Sequence, residues 1–376
     1  MPPSSAPLDS RVWIRSVFSL YYTSTYQFFA MVYAGPQGLR VGVAGAGRVG
    51  HVHIENLVET PRVTVVAVCT VVPAEQERVG KLVPSAKIFR DFDSFIATDF
   101  DLVIICTPTT LHYEHVAKAL KTGKHVFCEK PLGPDASTAW AVYEEALKYP
   151  SLKVACGFPR RFASTFQETA LRVKNGELGE IISVRSQSID PYMPSEFFDN
   201  YIKTSGGIFV DMTIHDIDVC LYLFGTDERP IRAYASGSAK MFPQFAAWGD
   251  VDDAFGLVEF ESGKVMALYG NRDSMQGHHA MAEIAGTKGR IIAQGHPHLL
   301  DVQITDPTGV RTVGANSHME LFITAFKNEL RAMRDWILDD VEPAFNLKDA
   351  AKAVTIASAL TKSLRQNQAV DIVNFY

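Results

Sequence analysis

Apolar and polar positions follow two different rhythms along the chain. Up to about residue 155, short apolar, β-branched runs recur at residues 39–44, 63–69, 87–89, 102–106 and 125–128. Runs of that kind form parallel strands covered on both faces. Helical stretches at 49–58, 92–96 and 113–121 separate them. Strand alternating with helix predicts a doubly wound parallel sheet, whose ligands gather at the carboxyl ends of its strands. Beyond Ala155 the texture changes. A helical piece at 161–174 precedes longer, alternating strands at 181–189, 231–239, 254–260, 265–270 and 281–285, with a turn signal at Glu261-Ser262-Gly263. This predicts an open, mostly antiparallel sheet with one packed face. The expected fold class is α/β. Near the end, Met319, Phe322, Phe326, Leu330, Met333 and Ile337 recur at helical spacing, and Asn346 with Asp349 resembles a cap before a final helix.

The first run leads into Gly45, Gly47 and Gly50 in the pattern G-x-G-x-x-G, with helical sequence from Val49 onward. The first glycine permits a tight turn, the second lets backbone approach a pyrophosphate, and the third lets helix pack on strand. The helix N-terminus adds free N–H groups and partial positive charge. A glycine triplet alone is as often a structural turn. Here a strand precedes it and a helix follows, which favours a dinucleotide site.

Composition narrows the classes. A chain of 376 residues exceeds one ordinary core, and the composition, 47% hydrophobic and 21% charged, is that of a globular protein. The expected division is an extension of unknown role at 1–35, a dinucleotide unit at 36–156, and a substrate-binding and oligomerisation unit at 157–376. Net charge is −6 without a basic tract, which points away from nucleic acid. Residues 17–34 are apolar and aromatic with Arg11 and Arg15 upstream, which has the flavour of a targeting segment. Ser, Thr and Gln interrupt the run, it is short and polar for a membrane span, and Met31 offers an alternative start. No membrane role is assigned. The five cysteines form no C-x-x-C pair, which suits buried thiols in a reducing, cytoplasmic setting.

Three places carry candidate chemistry. The second strand ends at Thr70, where dinucleotide folds usually place an acidic residue on the adenosine ribose. Neither a carboxylate nor an adjacent arginine follows, although Arg78 and Lys81 are within reach in sequence. NAD and NADP both stay open. Glu129-Lys130-Pro131 follows a buried strand, so Lys130 can polarise a substrate oxygen; the bland alternative is a solvated surface pair. Asp211, His215 and Asp218 share one face if the segment is a continuous helix, and a histidine steered by a carboxylate suits acid/base work on an alcohol. The alternative is an N-cap with a satisfied polar histidine. A metal reading that adds His278 and His279 lacks a thiolate cluster or H-E-x-x-H, so no metal is expected. No serine-hydrolase elbow is present.

The glycine loop at Gly45, the TPTTLH run at Thr107, the EKP at Glu129, the GFPRRF at Gly157 and the D-x-x-x-H at Asp211 together resemble the glucose–fructose oxidoreductase/inositol dehydrogenase/MocA family. The resemblance runs from Leu39 to the C-terminus. Asp190-Pro191 and the segment 201–218 are most similar to inositol 2-dehydrogenases. It implies a Rossmann domain followed by an α/β domain, nicotinamide chemistry on a cyclic polyol or sugar, and a homodimer or homotetramer. It implies Lys130, Asp211 and His215 as the catalytic set. Gly45, Gly47, Arg48, Val49, Thr70, Thr107, Pro108, His112, Glu129 and Lys130 would line the cofactor, and Arg161, Asp190 and Asn271 would contact substrate. Thr70 departs from the acidic residue of NAD-preferring members. The alternatives are a sugar or dihydrodiol dehydrogenase of the same family, and a non-catalytic dinucleotide-binding regulator.

Overall fold

The computed structural model describes residues 38–372 apart from 194–201, 204, 226–227, 276, 297–298, 300–301 and 308. The extension at 1–35, Tyr201 and Thr204 therefore lie outside the described residues. Strands β1 (Leu39–Ala44), β2 (Val63–Cys69), β3 (Lys87–Phe89), β4 (Leu102–Ile105), β5 (His125–Glu129) and β6 (Val154–Gly157) pair in parallel in the order β3-β2-β1-β4-β5-β6. Helices α1 (Arg48–Val58), α2 (Pro73–Leu82), α3 (Phe92–Ile96), α4 (His112–Lys121) and α5 (Ala136–Leu147) connect them. The order reverses between β1 and β4, so the β1–α1 turn opens into the crevice where such sheets bind ligands. The sequence pattern passed over α2, α5 and β6. In α2, Pro73 in the first turn presets the helical φ, and Glu75 suits the positive end of the helix dipole.

The second sheet contains β7 (Ile181–Pro191), β8 (Pro230–Ser238), β9 (Asp253–Phe260), β10 (Val265–Ser274), β11 (His279–Gly286), β12 (Gly289–Ala293) and β15 (Val370–Asp371), ordered β12-β11-β7-β10-β9-β8-β15. Every pair is antiparallel except β7 with β10, which is parallel. Strands β13 (Gln303–Asp306) and β14 (Gly309–Thr312) form a separate hairpin. One face of the large sheet packs on α8 (Ile214–Phe224); the other exposes Tyr234, Phe255 and Leu257.

Three helices differ from the sequence reading, each for a local reason. The stretch at 161–174 is a 3-10 turn at Pro159–Phe162, then α6 (Ser164–Lys174), because Ala163 between them is extended. The run through Asp211 is two helices, α7 (Ile208–Asp211) and α8, separated at Met212-Thr213. The apolar stripe from Met319 splits at Phe322 into α9 (His318–Leu321) and α10 (Ile323–Asp339), with Ser317 capping the amide of Glu320. The last helix, α11 (Leu347–Gln366), is capped by Asn346 through the amide of Asp349.

Helices α10 and α11 run back onto the first sheet's layer. Leu330 and Met333 of α10 are buried in one cluster with Val41, Ile54 and Ile104, each side chain contributing roughly 1.5–3 kcal/mol. The Trp140 indole donates to Thr355 Oγ1 at 3.0 Å, which ties α5 to α11. The two sheets thus share apolar packing, and a cleft lies between them.

Candidate active site

On the first sheet's side, the glycine loop is shaped for a close approach. Gly45 has φ +89°, and a Cβ there would lie 2.4 Å from the Cys106 carbonyl oxygen. A Cβ on Gly50 would lie 2.0 Å from the Gly45 oxygen. Gly47 is the N-cap of α1 and provides no side-chain cap, so first-turn N–H groups stay available to a phosphate. The cradle fits a dinucleotide pyrophosphate, because any larger residue would fill it. Arg48 and Val49 line the adjoining cleft, as do Glu129 and Lys130. Thr107 and the exposed Pro108 follow β4, and Thr107 Oγ1 sits 3.0 Å from His115 Nδ1. His112 is 1% exposed and braces this loop from behind. Its ring nitrogens lie 2.9 Å from the carbonyl oxygens of Pro131 and Thr107.

The cleft, about 430 Å³, continues to the start of α8 and the end of β10. Lys130 Nζ donates to the Asp211 carbonyl oxygen at 2.8 Å and lies 3.4 Å from Asp211 Oδ1. Arg272 donates to Asp211 Oδ2 at 3.3 Å. The Asp211 carboxylate is therefore shared between two cations, a firmer hold on Lys130 than a surface pair gives. His215 opens into the same cleft, and its Nδ1 is buried without a hydrogen-bond partner among the described residues. Burial first, then the charges of Lys130, Arg160 and His278, hold its pKa well below the ordinary histidine value. The ring is thus neutral at pH 7 and able to accept a proton.

A second polar string faces His215. Asp190 Oδ1 lies 2.9 Å from His278 Nδ1, and His278 Nε2 lies 3.4 Å from His318 Nδ1. The His318 ring is 4.6 Å from that of His215, centroid to centroid. Burial opposes ionisation of Asp190, but the hydrogen bond and charge of His278, with Arg272, hold its pKa below the usual carboxylate value. Burial first, with His215 and His278 nearby, also keeps His318 well below its ordinary range.

Other expected contacts fall elsewhere. Arg161 is not in the cleft: its guanidinium grips Asp218 through Nε and a terminal nitrogen at 2.7–2.9 Å and reaches Asp349 at 3.1 Å. The 3-10 turn sends its neighbour Arg160 to the cleft instead, held by Asp216 at 2.9 Å and Ser188 at 2.7 Å. Asp218, held by Arg161, accordingly does not line the cleft with Asp211 and His215. Asn271 donates to Asp253 at 2.9 Å, while the next strand residue, Arg272, lines the cleft. Strand alternation separates them. His278 and His279 diverge for the same reason, His279 Nε2 lying 2.8 Å from the Gln294 carbonyl oxygen. Arg160, Arg272 and His318 are thus the site residues that sequence reasoning passed over. Turn phase and strand parity would have found the first two; His318 had no signal before the α9–α10 break was known.

Behind Lys130 lies a buried acidic cluster. His53 Nε2 and Glu129 Oε1 are 2.5 Å apart, and Glu129 Oε2 accepts the Lys130 N–H at 3.1 Å. One ligand-capable atom from each of His53, Glu129 and Glu329 lies within 4.8 Å of the others. The His53–Glu129 separation is that of a hydrogen bond. Both oxygens of Glu329 are buried without a hydrogen-bond partner among the described residues. Burial first, then the charges of Glu129 and Asp218, raise its pKa well above the ordinary value. A carboxyl whose folded-state pKa is raised costs stability once pH exceeds its unfolded pKa, and the cost grows until the folded pKa is passed. Glu329→Gln therefore gains stability over wild type as pH rises from 5 to 8. Denaturant unfolding at the two pH values checks this; a constant difference contradicts it.

Comparison with known proteins decides the lineage. Residues 39–157 match the family model described as an oxidoreductase family, NAD-binding Rossmann fold, and residues 171–372 match its C-terminal alpha/beta domain. The chain is 31% identical over 339 residues to a myo-inositol 2-dehydrogenase of Thermotoga maritima, covering 89% of this chain and 98% of the relative. The chain belongs to the Gfo/Idh/MocA oxidoreductase family. It is also 30% identical over 338 residues to a scyllo-inositol 2-dehydrogenase (NAD(+)) of Bacillus subtilis, covering 89% and 96% of the two chains. Among solved structures it is similar to the scyllo-inositol dehydrogenase of Lactobacillus casei with bound NAD(H) and scyllo-inositol, with TM-score 0.85, 29% identity, and 89% and 99% of the chains covered. As a Gfo/Idh/MocA protein the chain is a nicotinamide-dependent oxidoreductase acting on CH–OH groups, and its first sheet is the NAD-binding Rossmann domain.

Proposed function

We propose that this Gfo/Idh/MocA enzyme oxidises a ring CH–OH of an inositol-like cyclic polyol. The observation that carries the reading is the meeting of Lys130, Asp211 and His215 in one cleft beside the glycine cradle. A dinucleotide held on the glycine cradle would supply the hydride acceptor for the carbinol carbon. His215, neutral and facing the cleft, accepts the hydroxyl proton. Lys130 donates a hydrogen bond that favours the developing alkoxide, and Asp211 with Arg272 fixes Lys130 in place. Asp190 with His278, Arg160 and His318 offers the hydroxyl partners a polyol needs, since a polar ligand binds tightly only where its hydroxyls are met.

The working division places the dinucleotide unit at 36–156 and the substrate unit at 157–376. The exposed Tyr234, Phe255 and Leu257 on the open sheet face suit a second copy of the chain, giving a homodimer or homotetramer. No described helix is long and apolar enough to cross a membrane, and the five cysteines are unpaired, which supports a cytoplasmic setting. Steady-state assays with NAD and a panel of myo-inositol, scyllo-inositol and aldoses test the proposal. An inositol is expected to give the highest kcat/KM; turnover of aldoses alone would shift the reading to a sugar dehydrogenase.

A further inference from the structure

The end of β2 carries Thr70 rather than a carboxylate, yet a carboxylate is present there in space. Thr70 Oγ1 donates to Glu75 Oε2 at 2.5 Å. The Val72 amide donates to the same hydroxyl oxygen at 3.3 Å, which directs the hydroxyl proton toward Glu75. The Gln76 side chain donates to the Thr70 carbonyl at 2.8 Å, pinning the first turn of α2 against the strand end. Glu75 Oε1 then lies 3.7 Å from where a Cβ on Gly47 would stand, so the carboxylate borders the glycine cradle. In a Rossmann fold the adenosine ribose lies between these two features.

We propose that Glu75, presented from α2 and oriented by Thr70, is the residue that selects NAD over NADP in this chain. A carboxylate beside the ribose accepts hydrogen bonds from its hydroxyls, and repels a 2′-phosphate of like charge. Arg78, one turn further on, is the cation that could instead welcome that phosphate. Its guanidinium donates to the Ala46 carbonyl at 2.7 Å, which commits it to bracing the loop. Among the described residues the Glu75 carboxylate is hydrogen-bonded through Oε2 to Thr70, and Oε1 remains to face the ribose.

This inference rests on the dinucleotide reading of the glycine loop, and a binding measurement separates the two. Fluorescence titration of NADH and NADPH onto the purified protein needs no substrate or turnover. Wild type is expected to bind NADH about tenfold or more tightly than NADPH. Glu75→Gln is expected to bring the two affinities within about threefold, mainly by tightening NADPH. Thr70→Asp added to Glu75→Gln restores the preference by returning a carboxylate to the strand end, and Arg78→Ala leaves it unchanged. Equal wild-type affinities, or a ratio unmoved in Glu75→Gln, would overturn the proposal. Binding of neither dinucleotide would overturn the reading beneath it.

Discussion

His215→Ala is expected to lower kcat with an inositol by about 10²–10⁴-fold, the usual contribution of a positioned general base, while NADH affinity changes less than about twofold. The asymmetry follows from placement. His215 stands at the start of α8, on the wall opposite the glycine cradle, so its removal leaves Gly45, Gly47 and Gly50 intact. The pH profile gives an independent readout. A base must be neutral to act, and burial with three nearby positive or titratable groups pushes the His215 pKa well below its ordinary value of 6.5. With wild type, kcat/KM should therefore hold steady as pH falls from 8 to 6.5, and drop only below that. An acid limb centred above 6.5 would mean that another group is the proton acceptor. Equal loss of turnover and dinucleotide affinity in His215→Ala, with the fold retained, would make the residue structural.

Arg161→Met is expected to be the most damaging change for stability. The guanidinium is 3% exposed and pairs with two buried carboxylates, Asp218 and Asp349. Removing it strands Asp218 in the interior and leaves Asp349 only Lys352, 4.0 Å away, which costs roughly 3–5 kcal/mol. Whatever protein folds should retain KM for the polyol, because the side chain never reaches the cleft. Arg160→Met should behave differently. Its guanidinium also pairs with a buried carboxylate, Asp216, but it lines the cleft, so KM rises together with the loss of stability. Thermal unfolding beside steady-state kinetics distinguishes the pair. A large rise in KM for Arg161→Met without loss of stability would place it at the substrate after all.

These two arginines show where the sequence was legible. Strand-forming runs bounded by turn residues announced β1 and β2 to the residue, because a strand inside a parallel sheet leaves a nearly continuous apolar mark. The glycine loop was equally plain, since only glycine tolerates a Cβ position 2.0 Å from a carbonyl oxygen. Side-chain direction was the weak point. Arg160 and Arg161 are adjacent on a 3-10 turn, and Asn271 and Arg272 are adjacent on β10, so a shift of one residue exchanges the cleft for the interior in the first pair and for the opposite sheet face in the second. Asp218 stands one helical turn from His215 on α8, but its carboxylate is taken by the Arg161 guanidinium, a pairing across 57 residues that helix spacing does not encode. His318 reaches the cleft because the chain breaks at Phe322, and an apolar stripe does not encode such a break. Glu75 shows the same limit in another form. The carboxylate missing from Thr70 returns from the next helix through a side-chain hydrogen bond that no sequence spacing announces.

The central claim is that a hydride passes directly from a ring carbinol of an inositol to the nicotinamide. Incubating the enzyme with NAD and inositol deuterated at its ring carbons, followed by mass analysis of the NADH formed, tests it most directly. Deuterium in the reduced nicotinamide, formed by wild type and lost in His215→Ala along with turnover, is the predicted result. NADH without deuterium, or no NADH from any deuterated inositol despite dinucleotide binding, would contradict it.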